Sequence, residues 1–104
     1  MNQKLATVFK ALGHPLRVKI IKEIAAQGEI CVCELIPILQ EEQSLVSKHL
    51  GILRSAGVLY FRREGTRKVY SLAFPELADF INQMEEKIEQ KFLKKQRKIG
   101  GDLR

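Results

Sequence analysis

The sequence contains no tryptophan, and it has only two histidines and two cysteines in 104 residues. No apolar run approaches the length of a bilayer span, which argues against an integral membrane protein. The opening Met1-Asn2-Gln3-Lys4 leads into an amphipathic stretch and not the apolar core of a signal peptide, so the cytoplasm is the expected location. There is no phosphate loop, no recognisable Ser-His-Asp set and no Cys-x-x-Cys spacing within a βαβ pattern. A thiol-disulfide enzyme is therefore disfavoured, and the expectation is that the chain is not an enzyme.

What is present is an ordinary globular composition, 45% hydrophobic and 29% charged, of a length that suits one domain over 1–104. Eighteen Lys and Arg face twelve Asp and Glu, a net charge of +6. That balance suits a polyanionic partner, because Lys and Arg neutralise phosphates and release counterions. Net charge alone says little here, since several of these cations lie in the tail from Lys91 to Arg104.

Apolar spacing predicts the elements. Leu5, Val8, Phe9 and Leu12 form one face of a helix over 3–12, ended by Gly13. His14-Pro15 opens a second helix with the stripe Leu16, Ile20, Ile21 and Ile24, closed by Gln27-Gly28. Residues 31–40 predict a third, short helix, with Pro37 implying a late start or a kink. A fourth helix over about 43–56 carries Val46, Leu50 and Leu53. Two strand-like runs, 58–63 and 68–72, flank the turn Glu64-Gly65-Thr66-Arg67. Phe74-Pro75 starts a last helix running past Phe92, with Leu77, Ile81, Met84, Ile88 and Phe92 in one stripe. The expected fold is mainly α with a β-hairpin, a winged helix-turn-helix of order α-α-α-α-β-β-α.

That order gives the polar residues a role. A recognition helix needs short polar side chains where it enters the major groove, and Gln43, Ser44, Ser47 and Lys48 supply them. The plainer reading makes Ser44 a helix cap and the rest a solvated face. The hairpin just downstream favours DNA, because Arg62, Arg63, Arg67 and Lys68 surround its tip. Edge-strand protection is the plainer account of those four charges. Steep weakening of DNA binding with salt is expected.

The terminal helix is long for a small domain. Leu77, Ile81, Met84 and Ile88, with Leu5, Val8 and Phe9 of the first helix, predict a two-fold interface between copies of the chain. A homodimer would place two recognition helices on successive major grooves.

Cys31-Val32-Cys33 is the most chemically specific feature. Thiolates hold soft ions, and a cysteine near a helix start is the more acidic. A structural disulfide is disfavoured in a cytosolic chain. Positions i and i+2 of a regular helix diverge, so sharing one ion is expected to require distortion of the helix start. The plainer reading is two small buried residues. His14 is expected at the start of the second helix, and His49 in a structural or DNA-proximal role.

Four stretches carry a resemblance to the ArsR/SmtB family of metal-responsive repressors, in its arsenic-sensing branch. They are Ala11-Leu12-Gly13-His14-Pro15-Leu16-Arg17, Ile30-Cys31-Val32-Cys33-Glu34-Leu35, Gln43-Ser44-Leu45-Val46-Ser47-Lys48-His49-Leu50 and Leu53-Arg54-Ser55-Ala56-Gly57-Val58-Leu59. The similarity extends from about Leu5 to Phe92. It implies a homodimer that represses transcription from double-stranded operator DNA until an inducer binds. In that branch the cysteine motif holds As(III) or Sb(III), which maps onto Cys31 and Cys33. A third cysteine common in the branch is replaced here by Ile36. A second family site on the terminal helix uses Asp and His; this chain has Asp79, Glu85, Glu86 and Glu89 there but no His, so that site is expected to be absent. The N-terminal cysteine of cadmium- and lead-sensing relatives is also missing. Alternatives are another soft metal such as Cd, Zn or Pb, a thiol redox switch, and ligand-independent DNA binding.

Overall fold

The computed structural model describes the backbone of residues 1–102 and the side chains of 1–95; the end of the basic tail lies outside the described residues. The order is α1 (Asn2–Leu12), α2 (Pro15–Gln27), β1 (Glu29–Cys31), α3 (Val32–Leu39), α4 (Gln43–Ser55), β2 (Leu59–Glu64), β3 (Arg67–Leu72) and α5 (Glu76–Asp102). The expected helices and hairpin are all present. The addition is β1, which pairs antiparallel with β3 in a sheet of order β1-β3-β2. Three residues are too few to show a period, so the strand was invisible to patterning.

Local chemistry sets the boundaries. His14 caps α2, its Nδ1 accepting the Leu16 N–H at 3.0 Å, and Pro15 follows in the first turn. The end of α4 is closed by Gly57 at φ 81°, with Gly57 N–H donating to Arg54 O and Val58 N–H to Leu53 O. This is the paired bonding of a Schellman cap, which needs the left-handed conformation glycine adopts without strain. The helix α3 begins at Val32 and not late, although Pro37 lies inside it. Pro37 has no N–H to donate to the Cys33 carbonyl. A strong cap at Cys31 and the burial of Leu35 and Leu39 hold this short helix together.

The core is shared by α2, α3 and α4. Ile20, Ile21 and Ile24 meet Leu35, Val46, Leu50 and Leu53, and Val58, Leu59, Tyr70 and Leu72 close it from the sheet side. Each fully buried aliphatic side chain stabilises by about 1.5–3 kcal/mol, so these elements supply most of the packing energy. The outer helices give much less: Ala11 from α1 and Leu77 from α5 are their fully buried members among the described residues. A helix-turn-helix (α3, turn, α4) followed by a hairpin wing is thereby fixed on a rigid base.

The expected interface stripe needs one correction. Leu77 is 5% exposed and sits in the chain's own core, because the start of α5 packs against α2. It offers no surface to a partner. Val8 and Ile81 are half-buried, while Leu5, Phe9, Met84 and Ile88 are each about half exposed. No helix among the described residues is long and apolar enough to cross a membrane.

Candidate nucleic-acid interface and thiol site

Gln43, Ser44, Ser47 and Lys48 are all exposed on the first two turns of α4. The cap position is Glu42, and it makes no side-chain cap bond. Ser44 thus lies inside the first turn and is not the cap that the plainer reading supposed. First-turn N–H groups without a side-chain acceptor carry partial positive charge and favour an anion.

The wing is a hairpin with Glu64 paired to Arg67, leaving Gly65-Thr66 as a two-residue turn. Gly65 has φ 64° and Thr66 is not left-handed, the pattern a type II′ turn requires. Its four cations divide into two kinds. Arg63 and Lys68 lie over the Phe61 ring at 5.8 and 5.0 Å, and Arg54 of α4 joins them at 4.3 Å. The ring gathers three charges from three elements into one patch. Arg62 instead pairs with Glu29 at 2.9 Å and Glu64 at 2.7 Å, and the Glu29 bond foremost raises its pKa. Arg67 pairs with Glu34 at 3.0 Å. Arg62 and Arg67 are thus ion-paired with carboxylates of β1, β2 and α3.

Two functional candidates, Arg54 and Phe61, were not singled out from sequence. Arg54 was legible in principle: it is seven residues after Ser47, two turns along the same helix face. Phe61 reads as an ordinary strand residue until the fold brings α4 beside the wing.

Cys31 is the last residue of β1 and the N-cap of α3, in extended conformation; Cys33 is the second helical residue. Both cysteines were expected inside one regular helix with diverging side chains. The extended cap residue removes that divergence. The Cα atoms are 5.2 Å apart and the two sulfurs are in direct contact. The helix start requires no unwinding for the sulfurs to meet. Cys31 Sγ also accepts the Cys33 N–H at 3.2 Å, and Glu34 Oε1 accepts the Cys31 N–H at 3.3 Å, completing a capping box. Cys31 is 3% exposed, whereas Cys33 is at the surface.

A groove of about 590 Å³ runs between the thiol turn, α4 and the wing. Cys31 and Cys33 line one side, Gln43, Ser47 and Arg54 another, and Arg67 and Lys68 a third. The thiols and the DNA-reading candidates thus share one surface. Among the described residues, no group of three or more His, Cys, Asp or Glu is placed to hold a metal ion.

His14 and His49 meet with ring centroids 4.5 Å apart. His49 is 5% exposed, and its Nδ1 has no hydrogen-bond partner. Burial foremost, then the charges of His14, Arg17 and Lys48, lower its pKa below 6.5, with Glu41 opposing. It is a packing residue that ties α4 to the start of α2.

Comparison with known proteins agrees with this architecture. Residues 14–60 match the family described as bacterial regulatory protein, arsR family. An uncharacterized HTH-type transcriptional regulator of Methanocaldococcus jannaschii is 38% identical over 84 residues, covering 81% of this chain and 94% of that one. The arsenic resistance transcriptional regulator ArsR2 of Pseudomonas putida is 43% identical over 77 residues, 74% of this chain and 66% of its own length. The solution structure of a homodimeric winged helix-turn-helix DNA-binding domain from Mycobacterium bovis, described as a possible ArsR-family regulator, superposes with TM-score 0.77 at 29% identity. It covers 86% of this chain and 82% of that fragment. The chain belongs to the arsR family of DNA-binding transcriptional regulators.

Proposed function

We propose that this chain is a cytoplasmic, homodimeric repressor whose hold on operator DNA is released by a thiophilic ion at Cys31 and Cys33, with arsenite or antimonite the leading inducer. The observation that carries the reading is the shared groove: two converging sulfurs, the face of α4 and the wing form one surface. An ion placed there would sit against the DNA-reading unit. Arsenic in the name of the Pseudomonas relative supports the choice of inducer. Trivalent arsenic is a soft centre that suits thiolates, and two sulfurs would hold it with a third ligand drawn from outside the pair. A zinc-type site normally needs three or four protein ligands, more than the pair supplies.

In this reading Gln43, Ser44, Ser47 and Lys48 approach base edges and phosphates of the major groove. Arg63, Lys68 and Arg54 present the free charge for the backbone, while Arg62 and Arg67 keep the wing oriented. Leu5, Val8, Phe9, Ile81, Met84 and Ile88 form the surface between the two copies.

A redox switch is the second reading, favoured by the contact between the two sulfurs. Two thiols would give up two electrons and two protons to peroxide, which becomes two waters. One panel separates the readings: DNA affinity of the reduced protein with arsenite, with cadmium or zinc, and with peroxide, for wild type and Cys31→Ser/Cys33→Ser. Arsenite is expected to weaken DNA binding of the wild type and not of the double variant. Unchanged affinity with arsenite sinks the metalloid reading. Release by peroxide alone establishes the redox one.

A further inference from the structure

Glu34 has two partners from different parts of the molecule on a single oxygen. Its Oε1 accepts the Cys31 backbone N–H at 3.3 Å and an Arg67 guanidinium N–H at 3.0 Å. The first bond caps α3 at the thiol turn. The second reaches the first residue of β3, just past the hairpin turn. The same two regions are joined again by backbone, because Cys31 lies opposite Val69 in the β1–β3 ladder. The ladder is a stiff connection. The carboxylate is an exchangeable one, since the Glu34 and Arg67 side chains are both about half exposed.

We propose that Glu34 is the coupling residue through which a change at the Cys31–Cys33 turn reaches the wing. It is a positioning residue and touches neither the thiol ligand nor DNA. An event that draws Cys31 Sγ into a new arrangement breaks its bond to the Cys33 N–H, one of the two bonds of the capping box, and so disturbs the Cys31 cap. Moving the cap withdraws the Cys31 N–H from Glu34. The carboxylate then reorients, and Arg67 loses its anchor at the base of the hairpin tip. The wing loosens relative to α4, and the charged patch around Phe61 loses its fixed geometry. The plainer account is that Glu34–Arg67 is one more surface ion pair, of the kind that often contributes nothing measurable. Two features set it apart: the shared oxygen, and the placement of its partners at the two ends that a switch must connect.

This rests on the proposed function only in taking the thiol turn as the sensing end, so the test uses neither DNA nor a metal ion. The full chain is reduced and its exposed Cys33 is alkylated with iodoacetamide, with one adduct confirmed by intact mass. Hydrogen exchange of the wing amides over 60–70 is then compared with and without the adduct. In wild type, alkylation should speed wing exchange by about two- to fivefold, the range one exposed ion pair supports. Glu34→Gln keeps the cap, because Gln serves at that position of a capping box, but removes the charge that holds Arg67. Its wing should already exchange faster by that factor, and alkylation should add nothing. If core amides of α2 lose protection in Glu34→Gln, Arg67→Gln breaks the same pair from the other side and should give the same result. A wild-type wing indifferent to alkylation, or a Glu34→Gln or Arg67→Gln wing that still responds as wild type does, overturns the proposal. Failure of arsenite to release DNA would bear on the inducer alone and leave this outcome intact.

Discussion

Two faces of this molecule are built on opposite principles. On the face carrying the thiol turn, α4 and the wing, most exposed side chains are polar and many have partners: Arg62 with Glu29 and Glu64, Arg67 with Glu34, and Arg54, Arg63 and Lys68 around Phe61. On the face formed by α1 and α5, the exposed side chains include Leu5, Phe9, Phe80, Met84, Ile88 and Phe92, each 45–61% exposed. Phe9 and Phe80 meet as a tilted pair with ring centroids 6.4 Å apart while both stay about half exposed. Exposed apolar side chains gathered on two helices suit the contact surface between copies proposed above. The polar face suits an exchangeable, salt-sensitive partner. The contrast separates assembly from recognition within about a hundred residues.

The comparison breaks most visibly if the apolar face is charged. Met84→Glu/Ile88→Glu should convert the dimer to monomer by sedimentation and weaken operator binding by about a hundredfold or more, because the second half-site contact is no longer intramolecular. Retained dimers would move the interface elsewhere. Leu77→Ala sharpens the boundary of that face, since Leu77 belongs to the core and not the interface. It should cost about 2–5 kcal/mol of folding stability in denaturant melts, the range for truncating a buried leucine. A change confined to dimer affinity would reverse its assignment.

On the polar face the effects are smaller. Ser47→Ala should weaken specific DNA binding by about 0.5–1.5 kcal/mol, the range for one hydrogen bond, and leave non-specific binding unchanged. Arg54→Ala should weaken both and reduce the slope of log affinity against log salt by about one. An unchanged slope would mean that Arg54 serves only to pack on Phe61.

The smallest expected effect concerns the junction between α4 and α2. His49 is held below its ordinary pKa of 6.5, chiefly by burial. The unfolded chain therefore binds this proton at a higher pH than the folded one. Stability is full above about pH 6.5 and falls as pH drops through the lowered folded value. His49→Gln should flatten that part of the urea-unfolding profile between pH 7.5 and 5. An equally steep profile in the variant would assign the acid sensitivity to other groups.

The helices were legible because each buries one stripe at helical spacing, and stripes such as Ile20, Ile21 and Ile24 or Val46, Leu50 and Leu53 are visible in one dimension. The hairpin was legible from β-formers around Gly65. The strand β1 was not, because three residues carry no period and their pairing partner is forty residues away. The failure at the cysteines has the same root. Spacing on an assumed regular helix let the two sulfurs meet only if the helix start is distorted, whereas pairing of Cys31 with Val69 keeps Cys31 extended and outside the helix. Leu77 and Met84 looked equivalent in the stripe of α5. They separate only when the helix is laid against α2 at one end and left free at the other.

By itself, then, the sequence determined the order of the helices and the hairpin, the winged helix-turn-helix class, the polar start of α4 and the presence of a close thiol pair. These follow from local periodicity, turn chemistry and residue type. The tertiary structure alone decided which wing cations are ion-paired, which stripe residues face outward, and that the thiol turn, α4 and the wing share one groove. Each of those depends on contacts between residues far apart in the chain, where no local rule reaches.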